Sequence, residues 1–332
     1  MKKVIECVPN FSEGRDLSVI DAIVGAIASV EGISVLNVDP GAAANRTVVT
    51  FVGAPEAVVE AAFRGCAEAQ ERIDMRRHHG THPRSGAVDV LPLIPVAGVT
   101  LADCAALARA LAERMYRELG IPCYCYEAAA FRPERRNLAV CRAGEYEALP
   151  EKFADPERRP DFCGEWDERA QRSGASNVGA RPFLIAVNFN LDTTSVPDAS
   201  AVAGDVRESG RKGPDGRRIP GTLKGCKAIG WYIEEYGIAQ VSMNITDIEA
   251  TPLHVAFEEV SRAAAARGLQ VTGTEIVGLV PKKVLLEAGR HFLGRQGLPA
   301  DAPEAELLQA AVEGLSLDDL KPFDLKTKLL DT

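Results

Sequence analysis

The chain has 332 residues, 46% of them apolar and 26% charged, with a formal net charge of −9. That is enough apolar material for a large core, most simply shared by two domains, while the acidic balance excludes a general nucleic-acid binder, which needs basic residues facing phosphates. Met1-Lys2-Lys3 is followed at once by Val4-Ile5-Glu6, too early a charge for a signal peptide, and no window approaches a membrane span, so a cytoplasmic protein without membrane contact is expected.

Strand-like runs alternate with helical patterns, which predicts an α/β (α+β) protein. The first half reads β-α-β-β-α-β, with strands near Val4–Val8, Ser34–Val38, Thr47–Val52 and Val88–Leu93. Leu17, Ile20, Val24 and Ile27 mark one amphipathic helix, and Val59, Phe63, Cys66 and Ile73 a second. A third opens with Thr100 and Asp103 spaced as a capping box, carries Leu101, Cys104, Leu107 and Leu111 on one stripe, and stops at Gly120. Asn137 to Cys141 reads as a strand, and Arg142 to Arg181 as a long polar segment, either linker or functional loop.

Beyond it the same order returns. Strands are predicted at Phe183–Val187, Ala228–Tyr232, Gln240–Ile245 and Gln270–Ile276, with a helix near Ala199–Val206 and another capped by Thr251, with Pro252 at its first position and Gly268 past its end. Asn10-Phe11 in the first half matches Asn188-Phe189 in the second, so the halves read as a pseudo-repeat, with chance similarity between short apolar strands as the alternative. Two similar sheets facing each other would leave a cleft for a ligand. The boundary falls at 180/181.

Three of the five histidines lie in His78-His79-Gly80-Thr81-His82, flanked by Arg76, Arg77, Pro83 and Arg84. Gly80 and Pro83 make this a loop rather than a metal-binding helix, and no Glu occupies the HExxH place. The eight cysteines are scattered; Cys123 and Cys125 are the close pair, with no second pair to complete a zinc site, so reduced thiols and no metal are expected. The loop supplies a proton carrier with a pKa near neutrality, with cationic groups beside it. Around it, at strand ends, stand Asn10, Ser12 and Glu13, then Asp39-Pro40-Gly41, then Asn45-Arg46-Thr47. Read singly, each has plain turn chemistry as the alternative. Arg46 has the fork geometry to hold a carboxylate bidentately.

Six runs strongly resemble the glutamate formiminotransferase family: Glu6-Cys7-Val8-Pro9-Asn10-Phe11-Ser12-Glu13-Gly14, Asn45-Arg46-Thr47-Val48, Ile73-Asp74-Met75-Arg76 with Gly80-Thr81-His82-Pro83-Arg84, Gly179-Ala180-Arg181, Lys227-Ala228-Ile229-Gly230-Trp231-Tyr232 and Ala239-Gln240-Val241-Ser242-Met243-Asn244. The resemblance runs from residue 4 to about residue 292. It implies transfer of the formimino group of N-formimino-L-glutamate to N5 of tetrahydrofolate, a step of histidine breakdown, with tetrahydrofolate as co-substrate and no metal. It also implies two α/β subdomains with mixed sheets around a central substrate tunnel, helices outside, and a homodimer. In larger relatives the module is fused to a cyclodeaminase, so a separate cyclodeaminase is the expected functional partner.

The family's catalytic histidine precedes Pro-Arg, which is His82 here, and Asp39 is the candidate carboxylate to orient it. Asn10, Arg46, Arg84, Arg181 and Lys224 are the substrate-binding candidates, the cations for the carboxylates of donor and folate. Residues 161–181 correspond to the family's folate-contacting loop but depart from its pattern at Glu165-Trp166-Asp167-Glu168-Arg169. The alternatives are formiminoglycine as donor, or a folate-binding protein without catalysis, against which the presence of His82 with Asp39, Asn10 and Arg46 argues because binding needs no base. A metal-dependent hydrolase built on the histidines is a further alternative.

Overall fold

In a computed structural model describing residues 3–299 and 301–330, the chain divides into two compact units, one ending at Pro182 and the other beginning at Phe183. Arg181, which the sequence boundary put in the second half, therefore belongs to the first. Met1 and Lys2, used in the reading of the terminus, lie outside the described residues.

The first unit carries β1 (Val4–Cys7), β2 (Asn10–Phe11), α1 (Leu17–Ala28), β3 (Ser34–Gly41), β4 (Arg46–Gly53), α2 (Pro55–Arg72), β5 (Val88–Ala97), α3 (Leu101–Arg114), β6 (Cys123–Glu127), α4 (Leu138–Cys141), α5 (Leu149–Ala154), α6 (Glu168–Ser173) and β7 (Ser176–Ala180). β1 and β2 form one interrupted strand, hydrogen-bonded to β4 on one side and β5 on the other. β3 continues the antiparallel part beyond β4, while β7 and β6 join β5 in parallel, which the long crossover connections between them allow. The sheet is thus mixed.

One face is apolar. Ile5, Cys7, Phe11, Val49, Phe51, Leu91, Leu93, Cys123 and Cys125 pack there with Ile23 and Ile27 of α1, Val58 and Cys66 of α2 and Leu111 of α3. Leu17, expected in the stripe of α1, is 61% exposed because Asp16 caps the helix and leaves Leu17 in its first turn, beyond the sheet-facing residues Ile20, Ile23 and Ile27. On α2 the buried positions are small, Ala61, Ala62, Gly65 and Ala69 beside Val58 and Cys66, which lets the helix approach closely; Val59 and Phe63 sit at its margin. In α3 both bonds of the Thr100–Asp103 capping box form, and a π-turn carries the helix on to Gly120, where φ is 69°.

The segment from Asn137 to Ala180 differs most from expectation. Asn137 accepts from the Ala139 amide, so the apolar residues after it form the short helix α4 rather than a strand. The polar stretch beyond α4 contains α5, α6 and β7. β7, Ser176-Asn177-Val178-Gly179-Ala180, has little strand propensity of its own and is ordered by ladders to β5 and β6 on both sides. Cys141, Leu149, Phe153, Ala170 and Ala175 pack with Val90, Tyr124 and Tyr126, covering that part of the sheet on the face opposite α1 to α3.

The second unit has β8 (Ile185–Leu191), α7 (Val196–Val206), the short pair β9 (Arg211–Lys212) and β10 (Arg218–Ile219), β11 (Cys226–Ile233), β12 (Ile238–Ile245), α8 (Leu253–Ala265) and β13 (Val271–Val277), followed by α9 (Lys282–Arg295) and α10 (Glu304–Gly314). Its four-stranded sheet has the order β11-β12-β8-β13 and is antiparallel throughout, so only the first unit's sheet is mixed. The first unit's β3-β4-β1-β5 is the same order by position in the β-α-β-β-α-β unit. Thr251 does not cap α8: Pro252 holds the cap position and the Thr251 hydroxyl donates to Lys224 O instead.

Candidate active site

Cross-strand partners share a face of a sheet. Asp39 lies opposite Val48, Val48 opposite Asn10, Asn10 opposite Val90, Val90 opposite Asn177 and Asn177 opposite Tyr124. This row is on the face away from α1 to α3. Arg46, two residues before Val48, and Glu6, opposite Val52 and Ile94, belong to it too.

The histidine loop reaches this face between α2 and β5, and the β3–β4 turn fastens it. Asn45, at φ 47°, in the left-handed region that Asn tolerates, donates from Nδ2 to His79 O and accepts from the Gly14 amide. His78 Nε2 bonds Asn45 O at 2.8 Å, and the Thr81 amide donates to Ala43 O. Burial lowers the pKa of His78, a tendency the Asn45 bond opposes. Gly80 is required by contact: a β-carbon there would lie 2.1 Å from Ala44 O. Arg84 is buried behind the loop. It donates to both carboxylate oxygens of Glu147 at 2.7 and 2.8 Å, to Glu145 at 3.2 Å and to His78 O at 3.3 Å, so this candidate substrate cation is engaged in holding the loop.

His82 Nδ1 lies 2.7 Å from Pro83 O. A carbonyl can only accept, so Nδ1 carries the proton and Nε2 the lone pair. The charges around the ring are Arg46, Arg142 and Asp89. Burial first, then the two guanidiniums, depress the His82 pKa to about 3, against the pull of Asp89.

Asp89 is fully buried and owes its direction to a β-bulge: Asn10 pairs with Val90 but Phe11 with Val88, leaving Asp89 the extra residue on β5. Its Oδ2 accepts from Arg46 Nη1 at 2.5 Å and Arg142 Nη1 at 2.6 Å, and its Oδ1 from the Ser85 amide at 2.8 Å and the Ser85 hydroxyl at 3.2 Å. Asn177 Nδ2 donates to Ser85 Oγ and Asp89 O. Burial alone would push the Asp89 carboxyl up, but Arg142 and Arg46 hold it well below the usual carboxylate range. Arg46 Nε donates to Asn10 Oδ1 at 3.1 Å. Arg142 Nη1 also donates to Pro83 O at 3.2 Å, the carbonyl that orients His82.

The fold therefore assembles Asn10, Arg46 and His82 around Asp89. Asp39 is half-buried on the same row. Arg181 follows β7, where its amide donates to Leu93 O and its charge acts on Glu6 and on Tyr126, a ring that Arg142 and Arg46 also act on. Lys224 is exposed in the second unit, ahead of β11. Asp89, Ser85, Asn177 and Arg142 were missed by sequence reasoning. For Asp89 there was a signal, a carboxylate enclosed in the run Val88-Asp89-Val90-Leu91; for Arg142, one arginine among many in a polar segment, there was none.

Among the described residues no group of three or more His, Cys, Asp and Glu side chains is placed to hold a metal ion, and no helix is long and apolar enough to cross a membrane.

Two family models match the chain. A model of the N-terminal subdomain of the formiminotransferase domain matches residues 4–181, and a model of the formiminotransferase domain matches residues 186–332. The chain is 46% identical to the formimidoyltransferase-cyclodeaminase of Sus scrofa over 336 aligned positions, which take in all of this chain and 60% of that protein. It thus spans well under two thirds of that longer relative. It is 42% identical to the glutamate formimidoyltransferase of Streptococcus pyogenes serotype M1, covering 88% of this chain and 94% of the relative, and 38% identical to that of Thermoplasma acidophilum, covering 93% and 97%.

Proposed function

The chain belongs to the formiminotransferase family, and from that premise we propose that it transfers the formimino group of N-formimino-L-glutamate to N5 of tetrahydrofolate, releasing L-glutamate and 5-formiminotetrahydrofolate in histidine degradation. The observation that carries the chemical reading is the Nδ1–H of His82 on Pro83 O, which leaves a lone pair on Nε2 for proton transfer. The names of the smaller relatives, glutamate formimidoyltransferase, favour this donor over formiminoglycine. Those of the longer ones pair the activity with a cyclodeaminase, which would take the product next.

In the proposed reaction the N5 lone pair attacks the carbon of the protonated amidine, forming a C–N bond while the C=N π pair moves onto the imino nitrogen; that pair re-forms the double bond when the glutamate nitrogen departs. His82 Nε2 takes the N5 proton from the tetrahedral intermediate. The bond from that carbon to the glutamate nitrogen then breaks, its electron pair stays on nitrogen, and the same His82 proton goes to it. One group acts as base, then acid, and returns unchanged. Asn10 and Arg46 are the substrate-binding pair of this reading, with Asp39, on the same row, as the candidate carboxylate for orienting the His82 ring and stabilising its imidazolium; Arg181 and Lys224 are its candidates for the folate carboxylates.

Purified protein tests it. Product absorbance should rise with formiminoglutamate and tetrahydrofolate, and His82→Ala should reduce the rate by about a hundred- to ten-thousand-fold. Absence of transfer from both formiminoglutamate and formiminoglycine, with folate still bound, would overturn the assignment in favour of a binding protein.

A further inference from the structure

Two guanidiniums share one oxygen of Asp89, and the shared carboxylate balances only one of them. The cluster is left with one excess positive charge, beside His82 and largely out of water: the side chains of Arg46 and Arg142 are 9% and 16% exposed. Such a charge is expensive unless an anion meets it. The donors to meet one are present. Arg46 directs Nε to Asn10 and Nη1 to Asp89, and Arg142 directs Nη1 to Asp89 and Pro83; Nη2 of Arg46 and Nε and Nη2 of Arg142 have no acceptor among the described residues. Nor do these nitrogens belong to the fully buried polar atoms without a partner, so solvent reaches them.

We propose that Arg142 and Arg46, held together by Asp89, form a carboxylate subsite beside His82 that receives the α-carboxylate of the amino-acid donor. The assignment rests on the formimino-transfer reading. Both arginines act directly on the His82 ring, so an anion docked on them lies next to the reacting atoms. In the donor, the α-carboxylate is two bonds from the nitrogen that departs. The glutamate tail of the folate is the other source of a carboxylate, but a p-aminobenzoyl group separates it from N5. A docked carboxylate also has an electrostatic consequence: it offsets the two charges that, after burial, depress the ring's proton affinity, and so makes His82 a stronger base when donor is bound. Arg142 thereby gains a double role, touching substrate through its unused nitrogens and the orienting carbonyl of His82 through Nη1.

The test uses the intact chain with Arg142→Gln and Arg142→Lys. Steady-state constants are measured for formiminoglutamate and for tetrahydrofolate carrying one or three glutamates, and calorimetry measures binding of L-glutamate, the released product, without folate. Loss of a charge-assisted pair predicts that Arg142→Gln raises the donor KM and the L-glutamate Kd about ten- to a hundred-fold while the tetrahydrofolate KM stays unchanged with either tail, and that Arg142→Lys recovers part of the loss. A rise confined to the tetrahydrofolate KM that grows with tail length would move the subsite to the folate and overturn the donor assignment. Unchanged constants in a folded variant would overturn the subsite altogether. Should Arg142→Gln fail to fold, Arg142→Lys decides by the same two constants, which must rise by a lesser factor. L-Glutamate binding that depends on Arg142 in a protein without transferase activity would uphold the subsite while refuting the proposed reaction.

Discussion

Glu6 is a carboxyl group among apolar neighbours, 2% exposed, opposite Val52 and Ile94, and its Oε2 has no partner among the described residues. Burial raises its pKa to about 7, against the pull of Arg181. A carboxyl whose folded pKa lies above its unfolded value stabilises the fold fully below about pH 4.5 and loses that contribution as pH rises through 7. Glu6→Gln should therefore be about 3 kcal/mol more stable than the parent at pH 8 and no more stable at pH 4, by urea unfolding. Equal differences at both pH values would rule out burial as the cause. His82 acts in the opposite sense in the unliganded chain: with its folded pKa depressed to about 3, the stability present above pH 6.5 is lost as pH falls toward that value. The parent should thus lose stability from these two groups on either side of an intermediate pH, and the two limbs separate in Glu6→Gln, which retains only the acid one.

At the scale of elements, the decisive piece is a loop tied to a turn. Gly80 passes so close to Ala44 O that no side chain fits, and Asn45 closes the junction from below. Gly80→Ala must push the histidine segment outward; kcat should fall at least about ten-fold, since a displacement of order 1 Å costs that or more, while circular dichroism reports an unchanged fold. Full activity in that variant would show that the loop is free to move without consequence. Local elements with local signals were legible in advance. α3 was recognisable from Thr100, Asp103 and Gly120 because a capping box and a left-handed stop are written in residues three apart and one past the end. β7 was not, because its order comes from two neighbouring strands rather than from Ser-Asn-Val-Gly-Ala. α4 was misread for a related reason: Leu138, Ala139, Val140 and Cys141 are too few for period 3.6 to be told from period 2, and Asn137 as a cap decided it.

Over the whole molecule, the same β-α-β-β-α-β order is built twice, with the first copy extended by β7 and β6. Each unit has a core of its own. In the second, Val187, Phe189, Val241, Met243 and Ile276 of the sheet pack against Val202 of α7, Val260 of α8 and Leu285 of α9. Residues 183–332 expressed alone should accordingly unfold cooperatively on heating, with native near-ultraviolet dichroism; a broad transition without that signal would show that the core is incomplete without the first unit.

Sequence by itself determined the α/β class, the repeat, most strand and helix positions and the loop that carries His82, because each is encoded by periodicity, caps and glycines within a few residues of one another. Only the tertiary structure decided what surrounds that histidine. Asp89 meets Arg46 across 43 residues and Arg142 across 53, and its side chain takes its direction from a one-residue slip between β2 and β5. Arg84, equally plausible in sequence as a substrate cation, is paired with Glu147 in the fold. Charge pairing of this kind depends on which side chains share one desolvated volume, and that is set by strand register and burial rather than by spacing along the chain.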